Sequence, residues 1–327
     1  MRFGTVALVG RSNVGKSTFL NAALGEELAI VSPRPQTTRD ALLGVVHRPA
    51  AQIAFIDTPG LHRPHSELGR RMNAAALDAA RSTDVIVFMT DAGALAREQT
   101  KRKSPPPAEQ LVQPEDRALI ARLPAERPTL LVVNKVDLFR DRAWVLPLME
   151  AYQSEHEFTA VIPTSLREKG GAEAVLAELE KLLPEGEPGF SDDDLTNRPT
   201  SFFVREYVRE QVLLGAEREV PHAVAVAIDR IDDSGRTLII KATLHVEKAG
   251  QRGILIGKGG ARIKQMGTAA RERIEALVGR RVHLELFVRV TPRWKDIPRQ
   301  LAELGYEAPE LRELSTEIPD APRRKKR

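Results

Sequence analysis

Three short stretches of this 327-residue chain carry residue types and spacings that could do chemistry. The first is Gly10-Arg11-Ser12-Asn13-Val14-Gly15-Lys16-Ser17-Thr18, with the spacing Gly-x-x-x-x-Gly-Lys-Ser. Its glycines permit a tight turn that brings backbone N–H groups, those of Val14, Gly15 and Thr18 among them, close to a polyphosphate. Lys16 would reach the β- and γ-phosphates, and Ser17 would ligate Mg2+. The second is Asp57-Thr58-Pro59-Gly60: a carboxylate for the same ion and a glycine N–H for a terminal phosphate. The third is Asn134-Lys135-Val136-Asp137. One carboxylate, Asp137, can accept both donors of a guanine edge; adenine presents neither, which leaves the acceptor unpaired. Asn134 would brace the loop against the base, with the Lys135 stem over the ring. Asp-Thr-Pro-Gly alone reads equally as a Pro-Gly turn. After a phosphate loop it reads as part of one site.

These residues need rigid elements behind them. Val6–Val9 is an apolar, β-branched run that stops at Gly10, and a helical pattern follows from Lys16 through Phe19, Leu20, Ala23 and Leu24 to Gly25. Such a helix aims the positive end of its dipole at the phosphates. Residues 32–40 form a polar loop whose two prolines prevent helix, and this loop carries Thr38. Further strands are expected at Leu42–His47, Ile53–Ile56, Val85–Met89, Thr129–Val133 and Thr159–Ile162. Helices are expected at Leu68–Arg81, Glu115–Leu123, Ala143–Ser154 and Glu173–Leu183. Thr164-Ser165-Leu166 follows the last strand. Between Ala94 and Pro114 lies a polar interruption with three consecutive prolines, Pro105 to Pro107, which reads as an irregular surface insertion.

Composition narrows the function classes. No cysteine is present, which excludes disulfides, thiolate metal sites and cysteine nucleophiles and suits a reducing cytosol. The first strand is expected within a few residues of Met1, so no signal peptide is expected, and no apolar run is long enough to span a bilayer. The net charge is +4, but its distribution is uneven. Between Lys248 and Arg299 there are 13 Lys/Arg against 4 Asp/Glu, so the rest of the chain is net acidic. An isolated basic region of this kind fits a nucleic-acid-binding face.

That basic region lies in a second half. Residues 184–199 are rich in proline, glycine and acid and mark a linker. Beyond it the pattern predicts a helix over 201–214, a strand over 223–231, a turn at 232–235, a strand over 237–246, and a helix over 249–254. The turn Gly257-Lys258-Gly259-Gly260 comes next, then a helix over 261–278, a strand over 282–290 and a helix over 296–304. Gly-x-x-Gly between two helices lets backbone press against a single strand of nucleic acid. Lys248, Arg252, Lys258, Arg262 and Lys264 would meet its phosphates, and Ile256 borders an apolar groove for bases.

The motifs and their order carry a resemblance. Residues 3–184 resemble a Ras-like P-loop GTPase domain of α/β class with a mixed, mostly parallel sheet. Residues 201–306 resemble an α+β type II KH domain. Together they are similar to the Era family of ribosome-assembly GTPases, with local matches at Gln36-Thr37-Thr38-Arg39, Asp57 to His62, Phe190 to Pro199 and Ile256 to Gly267. The resemblance implies domains at 1–184 and 201–306, a linker at 185–200 and a basic tail at 307–327. It implies a GTP/GDP switch with a slow, Mg2+-dependent GTPase activity. Gly10, Asn13, Val14, Gly15, Lys16, Ser17, Thr18, Asp57, Asn134, Lys135, Asp137, Ser165 and Leu166 would bind nucleotide. Ser17, Thr38 and Asp57 would hold the metal, and Lys16, Thr38, Gly60 and Asn13 would serve hydrolysis. It further implies binding of the 3′ end of 16S ribosomal RNA, assistance to 30S subunit assembly, a monomeric cytoplasmic protein, and peripheral contact with the inner membrane.

Four departures stand out: the insertion near 94–114, Asn197 for Asp, Leu166 for Ala, and the tail Arg323-Arg324-Lys325-Lys326-Arg327. At Leu61 the best-known GTPases carry a glutamine that orients water; leucine cannot. Asn13 matches the position that ligates K+ in potassium-activated relatives, and it reads equally as a loop residue satisfying nearby backbone. Two competing readings are an RNA-binding protein with a vestigial nucleotide site, opposed by the intact Lys16, Ser17, Asp57 and Asp137, and a GTPase assisting tRNA modification, which lacks a modification domain.

Overall fold

The structure, a computed structural model, describes residues 1–216 and 219–306. These group into two units. One comprises Met1–Arg63 and Met72–Asp192; the other comprises Pro64–Arg71 and the chain from Asp193 on. The basic tail named above lies outside the described residues.

The first unit is built from β1 (Arg2–Val9), α1 (Lys16–Leu24), β2 (Leu42–His47), β3 (Ala51–Asp57), α2 (Glu67–Ser82, whose opening residues up to Arg71 group with the second unit), β4 (Val85–Asp91), α3 (Gly93–Gln99), α4 (Ala108–Leu111), α5 (Pro114–Ile120), β5 (Thr129–Asn134), α6 (Val145–Gln153), β6 (Ala160–Pro163) and α7 (Glu173–Leu182). The sheet order is β2-β3-β1-β4-β5-β6. Only the β2–β3 pair is antiparallel. Val6–Val9, Val85–Met89 and Leu130–Val133 are fully buried, as continuous apolar strands must be when both faces of a parallel sheet are covered. Strand β1 has β3 on one side and β4 on the other, so connections leave it in opposite directions. The crevice beyond the C-terminal end of such a strand is where open α/β sheets bind ligands.

One expectation fails here. The stretch 94–114 is not an irregular insertion: α3 and α4 lie within it, and Leu95, Ala96, Leu111 and Val112 are buried in the core with Leu119 and Ile120 of α5 and Leu148 of α6. Most of the rest, Lys101–Lys103 included, is exposed, as a surface insertion would be. Four core residues scattered among prolines and charges leave no periodic signal. Pro114 opens α5, where its missing N–H costs no hydrogen bond.

The second unit contains α8 (Thr200–Gly215), β7 (Ala225–Asp232), β8 (Leu238–Val246), α9 (Ala249–Ile256), α10 (Ala261–Val278), β9 (Val282–Val290) and α11 (Pro298–Glu303). The sheet order is β7-β8-β9, with β7–β8 antiparallel and β8–β9 parallel. Val208 and Val212 of α8 and Met266 and Ala270 of α10 share one core with Val226, Ala242, Leu244 and Val246 of the sheet. This is the α-β-β-α-α-β order expected from the sequence. Trp294 is fully buried and donates its indole N–H to the Ala223 carbonyl oxygen (2.9 Å).

Candidate nucleotide site and nucleic-acid interface

The loop between β1 and α1 is shaped by its glycines and by Lys16. Gly10 and Gly15 sit at φ 148° and 115°, where a side chain would be strained; a Cβ on Gly10 would also strike the Met89 carbonyl oxygen. Lys16 is buried, and its Nζ donates to the carbonyl oxygens of Gly10 (3.0 Å) and Arg11 (2.9 Å). Burial lowers its pKa to about 8, against the pull of Asp57 and Asp116. An incoming polyphosphate would supply the counter-charge that the buried ammonium lacks.

Ser17, Thr38 and Asp57 converge from α1, the polar loop and the end of β3. Ser17 Oγ donates to Asp57 Oδ2 (2.6 Å), and Thr38 Oγ1 lies 2.9 Å from Ser17 Oγ and 3.3 Å from the same carboxylate oxygen. Asp57 is fully buried, and its Oδ1 has no hydrogen-bond partner. Burial pushes its carboxyl pKa up, while Lys16 and the Ser17 and Thr38 hydroxyls pull it back. A buried, unpaired carboxylate oxygen beside two hydroxyls is an all-oxygen donor set that fits Mg2+. Gly60 is indispensable for close approach: a Cβ there would lie 2.5 to 2.7 Å from Oγ, Cα and N of Ser12.

The base end is equally pre-arranged. Asn134 Nδ2 donates to the Val14 carbonyl oxygen (2.8 Å), and its Oδ1 accepts from the N–H of Lys135 (2.7 Å) and of Leu166 (3.3 Å). Asn134 therefore ties three loops together at the wall of the cavity. Lys135, at φ 63°, stretches across so that Nζ donates to the Asn13 carbonyl oxygen (2.7 Å) and pairs with Asp91 (3.2 Å). Asp137 Oδ1 is buried without a hydrogen-bond partner, as is Ser165 Oγ. An orphaned carboxylate oxygen at this end is what a guanine edge would satisfy.

A cavity of about 520 Å³ joins the two ends. Of the expected residues, Asn13, Gly15, Lys16, Ser17, Thr18, Thr38, Gly60, Asn134, Lys135, Asp137, Ser165 and Leu166 line it. Gly10, Val14 and Asp57 stand behind the wall, bonding to Lys16, Asn134 and Ser17 respectively. The sequence reading did not assign Ile30, Val31, Pro33, Leu138 and Arg167 to the site, although they line it too. Asn13, at φ 65°, donates its Nδ2 to the Pro33 carbonyl oxygen (2.8 Å). Leu61 is 3% exposed and packs in the core.

In the second unit, the Gly-x-x-Gly turn joins α9 to α10 as expected. Gly257, Gly259 and Gly260 all have positive φ (72°, 59° and 80°), and a Cβ on Gly257 would lie 2.8 Å from Arg262 Cβ. Lys248, Arg252, Lys258 and Lys264 are exposed, Ile256 is half-buried, and Arg262 donates to the Ile254 carbonyl oxygen (3.2 Å). An open groove of about 350 Å³ runs between α10 and β9, lined by Ile263, Lys264, Gly267, Thr268, Arg271, His283, Leu284 and Leu286. Lys264 alone of the expected residues lines it. The i, i+4 spacing of Ile263, Gly267 and Arg271 and the alternation of Leu284 and Leu286 were the signals that could have located the groove.

Comparison with known proteins agrees with both halves. A family model described as 50S ribosome-binding GTPase matches residues 5–135, and a KH-domain model matches residues 219–295. The chain is 41% identical over 311 residues to GTPase Era of Lacticaseibacillus paracasei, covering 94% of this chain and 98% of the relative. It is 41% identical over 307 residues to GTPase Era of Syntrophus aciditrophicus, covering 93% and 94%. Among solved structures it resembles Era in complex with MgGDPNP and nucleotides 1506–1542 of 16S ribosomal RNA (TM-score 0.84, 36% identity, 94% of this chain and 99% of that one). It also resembles a single-residue variant of Aquifex aeolicus Era bound to GDP·AlF4− (TM-score 0.80, 37% identity, 94% and 100%).

Proposed function

The chain belongs to the Era family of GTPases, and we propose that it binds and hydrolyses GTP as a switch that engages the 3′ end of 16S ribosomal RNA and assists assembly of the 30S subunit. One observation carries this reading. A single chain holds a cavity with orphaned carboxylate oxygens at both its metal end and its base end, and also a basic Gly-x-x-Gly turn leading into α10, whose groove against β9 mixes apolar and basic side chains. A vestigial nucleotide site would have no reason to keep two costly unpaired carboxylates buried.

In this reading GTP lies along the cavity with its guanine on Asp137 and its phosphates at Lys16 and the N-terminus of α1. Ser17, Thr38 and Asp57 would hold Mg2+, whose chemistry there would be to offset phosphate negative charge. Gly60 offers its N–H to the γ-phosphate, and Thr38 closes over it. With Leu61 in the core, that position supplies no side chain to orient the water, so turnover is slow until a partner completes the site. RNA runs over the turn Gly257 to Gly260, its phosphates on Lys248, Arg252, Lys258, Arg262 and Lys264 and its bases beyond Ile256. The test is GTP turnover with and without a single-stranded RNA of the 16S 3′-end sequence. Turnover that needs Lys16 and rises with this RNA but not with a scrambled one is the expected result; no turnover in either condition would refute the switch.

Asn13 is proposed as a ligand for K+, which would take the charge-stabilising part of an arginine finger. Replacing K+ by Na+ is then expected to slow turnover, and Asn13→Ala to erase the difference. Equal rates for the native protein in both salts would leave Asn13 as a bracket for Pro33. A monomeric, cytoplasmic protein with domains at 1–184 and 201–306, touching anionic membrane through Arg323–Arg327, completes the proposal. Among the described residues no helix is long and apolar enough to cross a membrane. Sedimentation and vesicle flotation test the monomer and the membrane contact; a dimer, or no flotation with anionic vesicles, would contradict them.

A further inference from the structure

Arg11 lies within the phosphate loop yet does not line the cavity. Its guanidinium turns away, and Nε donates to Oδ1 of Asp116 (2.7 Å), a residue 105 positions further on in α5. Asp116 is fully buried, while the Arg11 side chain keeps 24% of its exposure. The second carboxylate oxygen accepts from Thr90 Oγ1 (2.7 Å) and from Tyr152 OH (2.6 Å). Burial and the neighbouring Asp116 carboxylate push the Tyr152 phenol up, so it remains a donor. Arg11 is the one cation hydrogen-bonded to this carboxylate among the described residues.

A buried carboxylate with a single cationic partner cannot release that partner cheaply. The consequence passes along the loop backbone. The Arg11 carbonyl oxygen receives the Lys16 ammonium (2.9 Å), and the neighbouring Gly10 carbonyl oxygen receives both Lys16 (3.0 Å) and the Leu61 N–H (3.2 Å). On the far side, Lys135 and Asn134 hold the carbonyl oxygens of Asn13 and Val14. Asp116 supplies the anchor at the loop's entry that Asn134 and Lys135 supply at its exit. Thr90 adjoins Asp91, which pairs with Lys135, so both anchors rest on the end of β4.

We propose that Asp116 and Arg11 form a positioning pair for nucleotide binding, holding the phosphate loop in its phosphate-receiving conformation before a nucleoside di- or triphosphate arrives. The inference rests on the GTPase reading above. Neither residue touches the nucleotide. Their contribution is pre-organisation, which removes the cost of ordering the loop on binding.

The experiment measures GDP and GTP affinity for Arg11→Gln, Asp116→Asn and the double variant of the full chain, at a temperature well below the lowest unfolding midpoint among them. Each single variant is expected to weaken both nucleotides roughly tenfold, the loss of one hydrogen bond to a charged group. The double variant is expected to be no weaker than the worse single one, because both remove the same tether. Preference for GTP over XTP should not move, since the base end is intact. Arg11→Lys, which keeps the charge without the Nε–H geometry, should recover part of the affinity. A merely structural pair would lower the unfolding midpoint and leave affinity unchanged; that result, or losses that multiply in the double variant, would overturn the proposal. Should Asp116→Asn fail to fold, Arg11→Gln and Arg11→Lys, at a partly exposed side chain, still decide it by the same affinities. Wild-type protein that binds no guanine nucleotide would instead refute the GTPase reading itself.

Discussion

Exchanging Asp137 for asparagine is expected to convert a guanine-selective site into one that prefers xanthine. Asp137 Oδ1 is buried without a partner, so the site already bears the cost of a desolvated acceptor. Guanine recovers that cost through N1–H and its 2-amino group. An amide can accept only one of these donors, and its NH2 faces the other. Hydrogen bonds to a charged group contribute about 1.5–3 kcal/mol each. Losing one such bond outright, with the other weakened to a neutral one, corresponds to at least roughly 10- to 10²-fold weaker GTP binding. Xanthine presents a carbonyl oxygen at C2, which the new NH2 can meet, so XTP affinity should rise as GTP affinity falls. Competition titrations with GTP, XTP and ATP on the native and Asp137→Asn proteins read this directly. Native-like GTP preference in the variant would remove Asp137 from the base site. The same titration checks that the loops survive, because Asn134 and Lys135 are untouched and phosphate binding should persist.

The second large effect is expected in the other unit. Lys258 is exposed in the turn between α9 and α10, and Gly259 beside it has open space around its missing Cβ. Replacing both by aspartate removes one positive charge, adds two negative ones and places bulk where an RNA backbone would press. Gly259 sits at φ 59°, so part of the loss will come from a locally altered turn. Like-charge contacts at an interface cost several kcal/mol, so RNA affinity should fall by roughly 10²-fold or more. GTP affinity should barely change, because every residue lining the nucleotide cavity lies in the first unit. Native affinity for a single-stranded RNA should decline with salt at a log–log slope of roughly −0.7 per neutralised phosphate. The variant should show a shallower slope. Undiminished RNA binding by the double variant would show that the turn is not the contact; parallel loss of GTP binding would show that the substitutions had damaged more than the interface.

Much of this protein can be read from the order of its residues. A phosphate loop is a contiguous string, and so are Asp57-Thr58-Pro59-Gly60, Asn134-Lys135-Val136-Asp137 and Gly257-Lys258-Gly259-Gly260. Their chemistry depends on backbone turns and on side chains a few positions apart, which local sequence dictates. Buried parallel strands announce themselves as apolar runs, and amphipathic elements by their period, so β2, α10 and β9 fall where the pattern puts them. What local order could not disclose is which distant groups meet. That 94–114 is folded depends on Leu111 and Val112 finding a core formed by residues on α2, β4 and α6. The groove beside the Gly-x-x-Gly turn exists because α10 and β9 lie together, not because of any residue in the turn. Asn134 ties loops together because Val14 and Leu166, 120 and 32 residues away in sequence, reach it in space. The Arg11–Asp116 pair is the clearest case. Arg11 occupies an unspecified position of the motif, and Asp116 is one acid among many in a charged stretch. Only the packing of α5 with β4 and α6 buries that carboxylate, and burial makes its single cationic partner obligatory. Ligand chemistry is legible in the order of residues because it resides in short strings. Which side chains hold those strings in place emerges only on folding, because desolvation and contact across a hundred residues have no local signature.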